Sequence, residues 1–260
     1  MLRPVLFVPA VLRASSLLAP VLAAPIAPSS APLTSPGPVL APAAWGPPVL
    51  CHRLDIGDAE SLPFGEGAFG RDPALAREDV TTRTLAVLEA SDDAFVHMET
   101  VRRAVVLLAH GRLEEEKRLT GELLTALETR ARTLAGADGQ GDARPARARR
   151  AGLAAFDVAW ALQALEESGH LPRPADAIEG WVEKALAGRG DDARMAMGVS
   201  VLCFAQGEDR MMYEQLEVAL ADPDTEGLLA ENLGRTMQKF LGVGSRRQLD
   251  DLVARKLGRA

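Results

Sequence analysis

The sequence is poor in aromatic residues, which make up 4% of its 260 residues and include one tyrosine and three tryptophans. Because β-strands draw on aromatic and β-branched side chains, this scarcity argues against a sheet protein. Hydrophobic residues nevertheless make up 47% of the chain. A chain of this length and composition is able to bury a sizeable core, and its abundance of alanine and leucine favours helices.

The sequence also lacks the short motifs typical of nucleotide, metal and hydrolase sites. There is no G-x-G-x-x-G preceded by a strand, no G-x-x-x-x-G-K, no H-E-x-x-H, no G-x-S-x-G and no C-x-x-C. The four histidines lie in different segments without ligand spacing; they are His52, His97, His110 and His170. We therefore expect no cofactor and no metal ion, and the motifs assign no catalytic residue.

Positive charge is scarce as well. Lysine and arginine number 29 against 36 acidic residues, and the formal net charge is -7. Since binding to nucleic acid phosphates requires a clustered basic surface, we expect no nucleic acid partner.

The first fifty residues contain no acidic residue and eleven of the seventeen prolines. Arg3 and Arg13 flank a short apolar run, and 14–23 is a second run that ends in small residues. This pattern predicts a signal peptide over 1–23, cleaved after Ala23, and export to the periplasm or the extracellular space. The alternatives are a disordered tail or a start codon assigned too far upstream.

No apolar run reaches the length of a membrane-spanning helix, so no transmembrane segment is expected. Residues 24–50 are rich in proline and alanine and predict a disordered linker. Attachment of a lipid at Cys51 is an alternative, although Val49 and Leu50 are not the small residues that precede such a cysteine.

Residues 51–260 predict a single all-α domain that begins with an irregular strap. Residues 51–72 combine turn formers and acids without helical periodicity. We expect them to lie across the first helices through four apolar residues, which are Leu54, Ile56, Leu62 and Phe64.

The same segment holds four potential metal ligands, which are His52, Asp55, Asp58 and Glu60. Carboxylates close in sequence can surround a hard cation, but the segment has no D-x-D-x-D-G loop. A solvated acidic loop is the favoured interpretation.

Two stretches of the helical region are almost free of charge. Asp157 is the one charged residue in 153–165, and 195–206 has none. Helices that are apolar all round lie inside a stack of other helices, so both should be central among the four helices predicted for 151–223. By contrast, 136–150 is rich in glycine and arginine and predicts an exposed connector, with a basic docking loop as the alternative.

Three charged residues are candidates for binding a partner. Arg102 and Arg103 follow Glu99 at the spacing of helical salt bridges. Asp157 would be costly to bury alone, so we expect it to pair with Arg102 or Arg103; the alternative is a solvent-facing Asp157. An enzyme in which Asp157, His97 and Glu99 converge is a further alternative.

A loose repeat follows the connector. Gly169 and Gly207, 38 residues apart, each precede a predicted helix that ends in Ala-Leu, at 185–186 and 219–220. Residues 151–223 resemble tetratricopeptide-like hairpin repeats, although aligning Gly198 with that family's glycine places Glu217 where a small residue is usual. The resemblance implies stacked antiparallel helical hairpins, similar to an α-solenoid, which bind a protein or peptide on a concave face.

The sequence contains two cysteines, Cys51 and Cys203. In an oxidising compartment they could form a disulfide, and two free thiols are the alternative. Together these features predict an exported helical-repeat protein that acts as an interaction module for an unknown protein or peptide. An enzyme and a structural component of the cell envelope are the alternatives, and the oligomeric state is not predicted.

Overall fold

The protein is described here by a computed structural model. It describes residues 47–65, 75–109, 113–136, 144–170, 175–223 and 227–259. All of these belong to one compact unit. The predicted signal peptide and nearly all of the predicted linker lie outside the described residues.

Every α-helix in these ranges is part of one layered bundle, which confirms the predicted all-α class. After a short 3₁₀ turn at Arg77–Asp79, the helices are α1 (Val80–Ala90), α2 (Ala94–Leu108), α3 (Leu113–Gly136), α4 (Arg144–Glu167), α5 (Ala175–Arg189), α6 (Ala193–Gln206), α7 (Asp209–Leu220), α8 (Leu228–Leu241) and α9 (Arg246–Lys256).

Helices that are consecutive in sequence pack on one another as hairpins. These pairs are α1 with α2, α3 with α4, α4 with α5, and α6 with α7. Helix α2 also packs on α4 and α6, and α8 packs on α6. Helices α2, α4 and α6 therefore form the inner part of the stack, and the remaining helices cover them.

Helices α4 and α6 are central, as the scarcity of charge in 153–165 and 195–206 predicted. Every residue of α4 from Gly152 to Leu165 is buried, and α6 is buried over most of its length. Small residues allow the close approach of these helices: a Cβ on Gly198 would lie 2.6 Å from Cζ of Phe156. A Cβ on Gly152 of α4 would lie 2.9 Å from the carbonyl oxygen of Ala185 in α5.

The strap is present but begins earlier than predicted. Residues 47–50 form a turn, and Val49, which was predicted to belong to a disordered linker, is fully buried. From here on, "the strap" denotes residues 47–65. It runs over α2, α4 and α8, so it reaches the C-terminal part of the domain as well as the first helices.

The connector expected at 136–150 is helical in its second part. Helix α4 begins at Arg144, and most of 144–150 is exposed. An arginine-rich stretch that starts with Arg-Pro can form the first turns of a helix, because proline is tolerated there.

In the part of the chain that the structure describes, no helix is long and apolar enough to cross a membrane.

Candidate functional site

The middle of the strap is an extended segment with alternating burial. His52, Leu54 and Ile56 are buried, whereas Cys51 and Arg53 are exposed and Asp55 is partly exposed. Such alternation places one face of an extended chain against a surface and the other toward solvent. The strap therefore contacts the helices as a bound peptide would.

The first part of the strap is held by the C-terminal end of α4. The amide of Val49 donates to both carboxylate oxygens of Glu167 at 3.1 and 2.9 Å, and the amide of Leu50 donates to Oε2 at 2.9 Å. Gln163, one turn earlier in α4, donates to Oε1 of Glu167 at 3.1 Å and fixes its orientation.

The middle of the strap is held by α2. The buried carboxylate of Glu99 accepts from the amide of Leu54 at 3.2 Å, and from Arg102 and Arg103 at 2.8 Å. The two guanidinium groups continue to carbonyl oxygens of the strap, which are those of Leu50 at 3.2 Å and Leu62 at 2.8 Å. The salt bridges predicted between Glu99 and Arg102 or Arg103 are thus present, and they support the strap.

The third attachment is made by α8. Asn232, which is buried, accepts from the amide of Asp55 and donates to the carbonyl oxygen of the same residue, both at 2.8 Å. This reciprocal pair resembles the pairing between two β-strands. Arg235 lies 3.1 Å from the carboxylate of Asp55, which also accepts from the amide of Gly57.

Glu99, Arg102, Arg103, Glu167 and Asn232 line one surface on α2, α4 and α8, which we name the strap groove. Each of these side chains hydrogen-bonds to main-chain atoms of the strap. Main-chain atoms are the same in every extended polypeptide, so such contacts bind an extended segment largely independently of its sequence.

Rings supply further contacts. The His52 ring meets Phe240 edge-on at 4.7 Å between centroids, and Phe240 stacks on Phe204 of α6 at 4.7 Å. At the far end of the strap, the guanidinium carbons of Arg102 and Arg103 lie 5.2 and 5.7 Å from the centre of the Phe64 ring. These distances are typical of cation–π contacts.

The two carboxylates of the strap groove have opposite pKa shifts. Burial raises the pKa of Glu99, but the hydrogen bonds and charges of Arg102 and Arg103 outweigh it, and the net shift is downward. Burial also raises the pKa of Glu167, which has no cationic partner among the causes of its shift and ends above its ordinary value. Glu99 is therefore held as a carboxylate, whereas Glu167 protonates more readily.

A second buried cluster centres on Asp157. Its carboxylate lies 2.8 Å from Nδ1 of His97 and 2.9 Å from Arg130 of α3, and His97 Nε2 lies 2.9 Å from the carbonyl oxygen of Ser91. Because both partners of the His97 ring are acceptors, the ring makes both hydrogen bonds only when it carries two protons. Arg130 also donates to the carbonyl oxygen of Leu88. The cluster thus joins α1, α2, α3 and α4.

This arrangement corrects the expectation for Asp157. The residue does not face solvent, since it is 1% exposed, and its partners are His97 and Arg130 rather than Arg102 or Arg103. His97 and Asp157 do converge, but Glu99 belongs to the strap groove. Both members of the His97–Asp157 pair are buried, at 0% and 1% exposure, and the pair joins α2 to α4.

The cysteines are free thiols in the structure, with Cys51 exposed in the strap and Cys203 buried in α6. Burial raises the pKa of Cys203 to about 12, and burial followed by the charge of Glu167 raises the pKa of Cys51. Both shifts disfavour the thiolate, which is the nucleophilic form of cysteine. Within the described ranges, no group of three or more potential ligands could hold a metal ion, and Asp55 pairs with Arg235.

Three residues of these clusters, Asn232, Glu167 and Arg130, were not predicted from the sequence. Asn232 lies three residues after Leu229 and one before Leu233, both buried residues of α8, so a polar residue interrupts that apolar stripe. Arg130 lies three residues after the buried Leu127 at the edge of the α3 stripe. The position of a polar residue within an apolar stripe was the available signal. Glu167, at the end of α4, offered no such signal.

Comparison with models of protein families, with curated proteins and with solved structures found no match for this chain.

Proposed function

We propose that this protein is an interaction module that binds an extended segment of another polypeptide in the strap groove. In this proposal the strap is the resident occupant, and the partner's segment takes its place. The observation that carries the proposal is that two buried side chains, Glu99 and Asn232, and the partly buried Glu167 hydrogen-bond to the main chain of the strap at three separate points.

The chemistry of these attachments supports exchange of the occupant. Buried polar groups need hydrogen-bond partners, so leaving Glu99 and Asn232 without partners would be costly. Glu167 is partly buried and would lose its three hydrogen bonds to strap amides. Another extended chain offers the same amides and carbonyl oxygens as the strap does. Exchange therefore replaces each lost hydrogen bond, and the resemblance of 151–223 to peptide-binding hairpin repeats agrees with this use.

The test uses the full chain and a labelled synthetic peptide of residues 47–65 in which Cys51 is replaced by serine. A double variant, Leu54→Ala with Ile56→Ala, weakens the resident strap and leaves the strap groove intact. Each such truncation of a buried residue costs about 2 kcal/mol or more, and 1.4 kcal/mol is tenfold in affinity. We expect fluorescence anisotropy to show at least about tenfold tighter peptide binding by the double variant than by the unaltered chain.

Glu60→Ala is the matched control, because Glu60 is an exposed strap residue outside these contacts. It should bind the peptide as the unaltered chain does. If the double variant does not fold, Asp55→Ala, which keeps the apolar contacts, replaces it. A folded strap variant that binds no peptide would contradict the proposal.

We also propose that the module is exported, on the basis of the pattern in 1–23. N-terminal sequencing of the protein isolated from its source should then begin at Ala24. A protein that retains residues 1–23 and stays in the cytoplasm would contradict this.

A further inference from the structure

The side chains of the strap indicate which side chains the strap groove can accommodate in addition to a main chain. The buried face presents His52, Leu54 and Ile56 two residues apart, at 9%, 8% and 9% exposure. His52 lies against Phe240. Burial lowers the pKa of His52, so the position favours a neutral ring. An uncharged aromatic ring would occupy the same place.

Asp55, between the two buried apolar residues, shows that an acidic side chain is favoured at this position of the segment. The carboxylate of Asp55 lies 3.1 Å from Arg235, which extends from α8 beside the Asn232 attachment. Arg235 is more than half exposed and also contacts Glu231 at 3.3 Å. Its contribution is therefore modest in strength, but it discriminates against a basic residue at this position.

The residue after Ile56 determines how the segment leaves the groove. Gly57 has a φ of +60°, in the left-handed region that favours glycine, and its ideal Cβ position lies 3.5 Å from Cδ1 of Leu228. A β-branched residue at this position would be strained. The turn at Gly57 thus terminates the extended part.

We infer that the partner of this protein is a polypeptide whose extended segment has the pattern ring, any residue, apolar, acidic, apolar, glycine, as in 52–57. The inference rests on the proposed function and names the chemistry of its partner. The main-chain contacts hold any extended segment, whereas the apolar, acidic and glycine positions select among segments. Arg235 disfavours a basic residue between the two apolar positions.

The experiment measures how substituted peptides of residues 47–65 bind the full-length chain that carries Leu54→Ala and Ile56→Ala. In the peptide, Leu54→Ser should weaken binding roughly twentyfold through loss of apolar burial. Asp55→Lys should weaken it roughly fivefold by placing two cations together. Gly57→Val should weaken it roughly tenfold through backbone strain, and Glu60→Ala should change it less than about twofold.

A charge reversal separates recognition from a general effect of the peptide's charge. Adding Arg235→Glu to the protein should restore most of the binding of the Asp55→Lys peptide and weaken that of the unaltered peptide. If the unaltered peptide binds but these substitutions act no more strongly than Glu60→Ala, the inferred pattern is wrong and the proposed function stands. If no peptide binds to the folded chain, both are wrong.

Discussion

Helix α2 contributes to two different buried ionic clusters through His97 and Glu99, which are two residues apart. His97 contacts Asp157, which also binds Arg130, and every partner in that cluster belongs to α1–α4 or to the loop between α1 and α2. Glu99 instead faces Arg102, Arg103 and the non-helical strap. Similar chemistry thus joins helices permanently in one place and holds an extended segment in the other. A helix can separate these tasks because residues two apart point to different sides.

The largest expected effect comes from breaking the Asp157 cluster. Asp157→Ala leaves the His97 ring and the Arg130 guanidinium without their carboxylate partner, so we expect the free energy of unfolding to fall by about 3–5 kcal/mol. Glu89→Ala is the control, since Glu89 is 64% exposed and 3.7 Å from Arg130. It should cost less than about 1 kcal/mol. Urea denaturation measures both, and equal losses would contradict the central role of Asp157.

A second substitution tests how closely helices α4 and α5 pack on each other. A Cβ on Gly188 of α5 would overlap main-chain atoms of α4 near Gly152. Gly188→Ala should therefore destabilise the protein by about 1–3 kcal/mol. Gly180→Ala, in the same helix but with no atom within 4 Å of the new Cβ, should stabilise it by about 0.5–1 kcal/mol. Two effects of the same sign in urea denaturation would show that α4 and α5 are less closely packed.

A smaller effect, confined to the strap, is expected for Asn232→Ala. The substitution removes both hydrogen bonds to the main chain of Asp55, which together contribute about 2 kcal/mol. Trypsin cleavage after Arg53 reports opening of the strap, and its rate should rise at least about tenfold. Glu122→Ala, on the exposed face of α3, should leave the rate unchanged. A cleavage rate that does not respond to Asn232→Ala would show that α8 does not hold the strap.

The smallest effect is that Glu99 and Glu167, the two carboxylates of the strap groove, change the stability of the protein with pH in opposite directions. The lowered pKa of Glu99 means that its stabilisation is present above 4.5, its ordinary value, and is lost as the pH falls through the folded-state pKa. The raised pKa of Glu167 means that its stabilisation is present below 4.5 and is lost as the pH rises through the folded-state pKa.

The stability of the unaltered chain relative to Glu99→Gln should therefore increase with pH, and relative to Glu167→Gln it should decrease. Urea denaturation of the three proteins between about pH 3 and pH 7 measures both trends. Parallel trends for the two variants would contradict the assignment of opposite shifts.

The fold was more predictable from the sequence than the site, for a physical reason. With Asp157 as the one charged residue in 153–165 and none in 195–206, neither stretch has a wide polar face, so the central position of α4 and α6 follows from local composition. The partners of Asp157 could not be predicted in this way. Arg130 lies in another helix, α3, and the residues around Arg130 in the sequence resemble an ordinary polar helix face. The strap's apolar residues were recognised, but its main-chain attachments depend on where α8 lies.

Native-state hydrogen exchange tests the distinction between permanent core and replaceable strap most directly. The account predicts that the amides of Val49, Leu50, Leu54 and Asp55 exchange through a local opening, with a lower free energy and a weaker dependence on denaturant than the amides of α4 and α6. Strap amides that exchange only with global unfolding, at the same free energy as those of α4 and α6, would contradict it.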